Sequence, residues 1–432
     1  MTQSSLKNVM QNAATLFAGN TGASIFGLIS MAIFTHTMGP TIFGYYILFL
    51  TFIEIVDRVF NFQTWQAFIK YATEFKIKGE DRKILMLLKY SVLIDSLTLS
   101  VAFSIALISA GYVTSFFNIP AEYSSFLSVL AFSIALNIFN ISTGVFRLFD
   151  EYKIQAKITV YTASTKTVLF GGTALYAPTF ENFIYATILS KSIGTLLIFL
   201  YTKKILLKND IKFAEIVKER IDRKLLNELG ILSFIIYNNF DVAVRMISRQ
   251  LDIIILGKLY SAEIVGLYRT AKEISNFIAK LGDPIYQAIY PELAALLASG
   301  NKLEAKKIAK QISLYACGVG FVFYLSFLVL GEFAIVLVFG QEFLSAYGII
   351  LIYFFANFVA VVTLPLYPMQ HAFGFAREAF YNQLYTTLVY IPILIFLTIE
   401  LKMIGAAISY VAYYLLLTKL TLKSVKKGFS SG

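Results

Sequence analysis

Twelve apolar stretches of membrane-span length divide this sequence, at 13–34, 42–63, 87–110, 123–146, 158–177, 182–202, 229–256, 264–289, 312–330, 345–368, 382–399 and 402–420. Most are near the roughly 20 residues that an α-helix needs to cross ~30 Å of hydrocarbon. Lipid offers no hydrogen bonds to the backbone, so each stretch must satisfy its own amides as a helix. The expectation is an all-α integral membrane protein. Composition agrees: 58% of the 432 residues are hydrophobic and only 15% are charged, against roughly 45–50% and 25% in a soluble domain. A soluble enzyme is excluded on this ground. Residues 1–12 carry a single Lys7 and the first apolar run ends without a cleavage pattern, so that run reads as a retained span.

The formal charge of +11 would suggest nucleic acid if it were clustered on one soluble face. Its placement says otherwise. Of the 37 Lys+Arg, 28 fall in the termini, the loops and the adjoining span ends that share one side of this map, 8 of them in 203–228, and only Lys258 and Lys402 on the other. Positive residues stay inside, so both termini are expected in the cytoplasm, at the cell inner membrane. No nucleic-acid partner is expected; membrane lipids are. Cys317 is the single cysteine, and His36 and His371 lie in no cluster with metal-ligand spacing. Neither a metal nor another cofactor is expected.

The sequence also repeats. A shift of 222 residues lays Ile42–Tyr46 on Ile264–Tyr268, and Phe116–Phe117 on Val338–Phe339. Six spans separate the copies, so the halves should share one orientation, related by a pseudo-twofold along the membrane normal. The expected organisation is a six-helix bundle over 1–202, a cytoplasmic amphipathic linker over 203–228 and a second six-helix bundle over 229–432. The prolines are uneven. Pro40, Pro120 and Pro178 lie in outside loops, whereas Pro284, Pro291, Pro365, Pro368 and Pro392 lie in or at the ends of second-half spans, where bending is expected.

Ionisable residues within spans are expensive and mark function by default. At 100° per residue, Asn238, Asp241, Arg245, Arg249 and Asp252 form one stripe on the seventh span. The Asp241–Arg245 and Arg249–Asp252 spacings permit internal pairing, while the like charges Arg245 and Arg249 at i,i+4 favour a visiting anion. On the eighth span Arg269, Lys272, Glu273, Asn276 and Lys280 share a face. On the second, Glu54, Asp57, Arg58, Asn61 and Trp65 do. These three faces imply a polar, water-filled cavity. The cations Arg58, Arg245, Arg249, Arg269 and Lys272 are its candidate substrate ligands. Glu54, Asp57, Asp241, Asp252 and Glu273 are candidates for ion coupling or charge balance. Lys166 and Lys191 can snorkel or pair with Asp95. On the first span Gly19, Ala23, Gly27 and Ser30 make a small-residue stripe suited to close helix packing. No catalytic constellation is present: neither a P-loop, nor Gly-x-Ser-x-Gly, nor a His–carboxylate pair. The longest outside loop, near 110–122, is too short for a catalytic domain.

Three segments carry a resemblance: NTGASIFGLISMAIFTHTMGPTIFGYYILFL (20–50), VFRLFDEYKIQAKIT (145–159) and LDIIILGKLYSAEIVGLYRTAKEISNFIAKLGDPIYQAIYPELAAL (251–296). They resemble the Wzx-like, O-antigen type oligosaccharide flippases of the MOP superfamily, which also holds the MATE exporters. The resemblance implies a V-shaped transporter of two bundles that moves polyprenyl-pyrophosphate-linked glycan from the inner to the outer leaflet by alternating access, with no bond made or broken. It implies a role in polysaccharide and lipopolysaccharide assembly, with a glycan polymerase and a chain-length regulator as partners. The first span departs from the pattern by supplying no cation. The rival reading is a MATE-like exporter of small, often cationic compounds. Charge separates the two, because the three polar faces sum to +1, the wrong sign for a cationic cargo.

Overall fold

The structure is a computed structural model describing residues 3–62, 64–280, 292, 293, 296, 297 and 299–430, the side chains of 3–10, 241, 245, 247, 248, 278–280 and 376 excepted. It is nearly all helical. In chain order the helices are α1 (Gln3–Phe60), α2 (Trp65–Lys78), α3 (Asp81–Phe116), α4 (Ser124–Ala135), α5 (Ser142–Leu148), α6 (Tyr152–Tyr176), α7 (Phe180–Lys208), α8 (Phe213–Lys218), α9 (Arg223–Glu228), α10 (Ile231–Leu259), α11 (Ala262–Lys280), α12 (Lys302–Phe339), α13 (Tyr347–Val362), α14 (Leu366–Ala372) and α15 (Ala376–Ser430).

Two of these helices double back. In α1, Gly39 takes φ 73° and ψ 175° ahead of Pro40. The left-handed φ suits glycine, and the proline supplies no N–H to carry the helix on. The ring centroids of Phe34 and Tyr46 are 4.9 Å apart, where twelve residues of straight helix would rise about 18 Å. In α15 the break is at Lys402, φ 52°, and Tyr390 meets Tyr413 at 5.4 Å. Among the described residues seven helical stretches are long and apolar enough to span a membrane, eight with the bent pair Ile231–Val244 and Arg249–Leu259. Counting both limbs of the folded stretches, with α6 and α11, makes the helix count consistent with twelve spans. Serines, threonines and glycines dilute α6, and Glu263, Arg269, Lys272, Glu273 and Lys280 charge α11.

The chain divides into two compact units. The first comprises Thr15–Met38 and Tyr45–Leu251, the second Met1–Ala14, Gly39–Gly44 and Asp252–Gly432. In the first unit α6 packs on α7 and α3 on α4. Gly19 lies so close to α6 that an added Cβ would come within 2.7 Å of Ala156, and the Ser30 hydroxyl meets that of Thr167 at 2.8 Å. Gly27 faces open space, so the small-residue stripe packs closely at both ends and not in its middle.

The segment 203–228 is not one amphipathic helix. Asp210, at φ 59°, ends the run of α7, and two short helices follow. They are fastened to the first unit. Ile216 and Leu226 enter a core with Phe68, Phe75, Leu87 and Phe146. Lys89 donates to the Val217 and Glu219 carbonyls at 2.7 and 2.9 Å, and Tyr71 to that of Leu229 at 2.8 Å. Burial of two aliphatic side chains and three hydrogen bonds to the backbone oppose a loose linker.

In the second unit α13 packs against α11, α12 and α15, and α14 against α15. Pro365 and Pro368 stand at and within α14, after the interruption that follows Val362, and Pro392 lies inside α15. Pro284 and Pro291 lie outside the described residues.

Candidate functional site

Polar residues of the spans gather in each unit separately. In the first, the second limb of α1 places Glu54 and Arg58 on one exposed edge and turns Asp57 inward, as a 100° step requires. Asp57 Oδ1 accepts from the carboxamides of Asn61 (3.0 Å) and Asn137 (2.9 Å). Helix α10 is bonded to this limb twice. Gln250 Nε2 donates to Glu54 Oε2 at 3.0 Å, and Asn239 Nδ2 to the Val59 carbonyl at 2.9 Å. Arg249, next to Gln250, is exposed, as Arg58 is. Lys191 of α7, half-buried, lies within electrostatic reach of Asp57, Glu54 and Arg58. Two guanidiniums thus stand on a helix pair whose register is fixed by side-chain hydrogen bonds.

In the second unit Asp252 and Glu273 each engage a cation. Asp252, 2% exposed, accepts from Lys272 Nζ (2.5 Å) and Tyr268 Oη (2.7 Å) on one oxygen and from the Ile253 N–H (2.8 Å) on the other. Tyr268 in turn shares a short hydrogen bond with Tyr353 of α13, both side chains being fully buried. Arg269 pairs with Glu273 one turn on, at 2.6 Å. Lys272 and Arg269 therefore each hold a carboxylate, whereas the sequence offers them as substrate cations.

Arg58 and Arg249 lie in the first unit, and Arg269, Lys272, Asp252 and Glu273 in the second. The side chains of Asp241 and Arg245 are outside those described. Lys166 does not reach Asp95; it donates to Tyr46 Oη at 3.0 Å and sits 4.9 Å from the Phe170 ring. Asp95 accepts the Thr64 N–H at 3.0 Å. Trp65 leaves the polar face of α1 because it begins α2, where Arg147 stacks on it at 4.6 Å. Sequence reasoning missed Asn137, Asn239, Gln250, Tyr268 and Tyr353. Neutral side chains give no charge signal, and each finds its partner on another helix. Among the described residues no three His, Cys, Asp or Glu side chains are grouped to hold a metal ion.

The sequence model of the polysaccharide biosynthesis protein family matches residues 9–297. The chain belongs to that family. Among curated proteins, this family member is 22% identical over 356 residues to the inner membrane protein YghQ of Escherichia coli K12, covering 80% of this chain and 96% of that one. Among solved structures it resembles the lipid II flippase MurJ in an inward closed conformation, with a TM-score of 0.72 at 14% identity over 96% of this chain and 89% of that one. An inward-facing MATE family transporter of the MOP superfamily gives 0.68 at 13%, covering 97% and 96%. The fold is the one these solved structures share, and its apolar helices make the chain a multi-pass membrane protein.

Proposed function

We propose that this protein is a flippase for polyprenyl-pyrophosphate-linked glycan at the inner membrane, working by alternating access, and that Arg58 and Arg249 receive the pyrophosphate. The observation that supports this reading most is the pair of exposed guanidiniums on α1 and α10, helices fixed to each other through Glu54–Gln250 and Val59–Asn239. Arginine presents a planar fork that matches two phosphate oxygens. The barrier to flipping is the transfer of sugars and charge through hydrocarbon, which a polar, positively lined path removes. A diphosphate diester leaving an inside-negative compartment also gains ~2.3 kcal/mol per charge per 100 mV. Lys272 and Arg269 hold carboxylates and shape the second unit. A small cationic drug as cargo is disfavoured, since Glu54 and Asp57 are engaged by Gln250 and by Asn61 and Asn137.

The test measures surface glycan and membrane abundance together in a strain that depends on this chain. Arg58→Ala and Arg249→Ala are expected to lower export about tenfold or more at normal abundance, corresponding to one lost charged hydrogen bond of about 1.4 kcal/mol or above. Lysine at either position should retain part of it. Unchanged export in both alanine variants would remove the arginines from the substrate path. Orientation is tested separately. In a cysteine-free background, a cysteine at 260 should label from outside the cell, and one at 212 only after lysis. The opposite pattern would invert the map.

A further inference from the structure

Helix α5 lies against the start of α2 with little room to spare. A Cβ on Gly144 would come within 2.7 Å of the Phe68 ring and 3.3 Å of the Trp65 carbonyl. Arg147 stands about one turn further along the same face of α5. Its guanidinium carbon lies 4.6 Å from the centroid of the Trp65 indole. Several cations at this end of the first unit are engaged by the protein itself. Lys76 donates to the Leu148 carbonyl at 2.9 Å, Lys78 to Glu74 at 2.6 Å, Lys83 to Glu80 at 2.9 Å and Lys208 to Glu151 at 3.3 Å. Arg147 differs from them. Among the described residues its side chain makes no hydrogen bond and no ion pair, and its Nε is buried without an acceptor. Glu151, four residues on, is held by Lys208.

A half-buried guanidinium with one nitrogen shut off from water is partly dehydrated and uncompensated, which strengthens its attraction for an anion. Stacking on the indole occupies the flat face of the group and leaves its edge, where the N–H donors lie, for a ligand. That edge matches two oxygens of a phosphate. Depth narrows the choice of phosphate. Trp65 begins α2 five residues after α1 ends at Phe60, which puts the indole near the level of the span ends, where tryptophan meets headgroups. An anion at that level is the phosphate of a membrane lipid. The carrier lipid of a glycan and an ordinary anionic phospholipid both bring one.

We infer that Arg147 and Trp65 form a binding site for the phosphate of a membrane lipid, one that includes neither Arg58 nor Arg249. The inference does not rest on the glycan reading, and its test contains no glycan. Trp65 is the single tryptophan of the chain, so intrinsic fluorescence reports this site alone. The full-length protein is reconstituted in phosphatidylcholine vesicles that hold a minor fraction of either phosphatidylglycerol or phosphatidylcholine brominated on the acyl chains. Brominated phosphatidylglycerol is expected to quench Trp65 at about fivefold lower content, the preference that one cation near the surface gives an anionic headgroup. Unlabelled phosphatidylglycerol and polyprenyl phosphate should each relieve that quenching, and the one that does so at lower content is the occupant the site prefers. Inorganic phosphate at matched ionic strength should not. Arg147→Gln should be quenched equally by the two brominated lipids, while Arg147→Lys should keep part of the preference. Lys78→Gln, the same change of charge at an exposed position, should keep all of it. A purely structural stacking role for Arg147 would change the emission of Trp65 and leave the headgroup preference alone. Equal quenching of the unaltered protein by the two lipids would overturn the site. So would relief by inorganic phosphate, a preference that survives Arg147→Gln, or an equal loss in Lys78→Gln. The comparison of the two lipids on the unaltered protein decides the matter if a variant does not fold.

Discussion

Lys272→Ala is expected to remove most folded protein from the membrane. The ammonium lies 2.5 Å from Asp252, whose residue is 2% exposed. Without it the carboxylate keeps Tyr268 and its neighbouring amide, neither of them charged, as donors. Stranding a buried charge in this way costs about 3–5 kcal/mol, while removing both members of such a pair is often close to neutral. The single variant should therefore fall steeply in abundance, and Lys272→Leu combined with Asp252→Asn should recover most of it. Fluorescence-detected size exclusion of a tagged chain reads both. Normal abundance of Lys272→Ala with lost glycan export would show that the lysine serves a substrate.

That pair shows where sequence reading ends. Asp252 and Lys272 are legible as intramembrane charges, and the span map locates their helices. What the pattern offers Asp252 is Arg249, three residues back on its own helix. The fold gives it Lys272 and Tyr268 from α11. Helical periodicity measures angle about one axis only, so it cannot weigh a neighbour on the next helix against one on the same helix. The same limit hides Asn137 and Gln250, neutral residues whose partners lie 80 and 196 positions away. Helix ends fare better, because their causes are local. Gly39–Pro40 is readable as a break, and so is the turn at Glu400–Lys402 between two apolar runs, although nothing in the sequence gives Lys402 its left-handed φ. The linker escaped because its basic composition suggested a membrane surface, whereas two aliphatic residues, Ile216 and Leu226, decide where it packs.

The internal repeat makes the second strong prediction. Under the 222-residue shift Pro40 corresponds to Ala262 and Gly44 to Gly266. In the second unit a Cβ on Gly44 would overlap the Ala262 carbonyl, and one on Gly266 would overlap the Pro40 carbonyl. Each glycine meets the backbone of the other's partner, so the contact maps onto itself under the repeat. Backbones this close require glycine on both sides, as in small-residue helix crossings of membrane proteins. Neither carbonyl can move aside as a flexible side chain would. Gly44→Val and Gly266→Val are each expected to destabilise by about 3 kcal/mol, the upper end of overpacking costs. The double variant should cost less than the sum, because one separation of the helices accommodates both side chains. Gly27→Ala, with nothing within 4 Å of the added Cβ, is the control and should be neutral or stabilising by up to about 1 kcal/mol through helix propensity. Thermal midpoints of the purified variants measure all four. Additive losses from the two valines would mean that the contacts are independent, and an unshifted midpoint for Gly44→Val would mean that the crossing is looser than the structure places it.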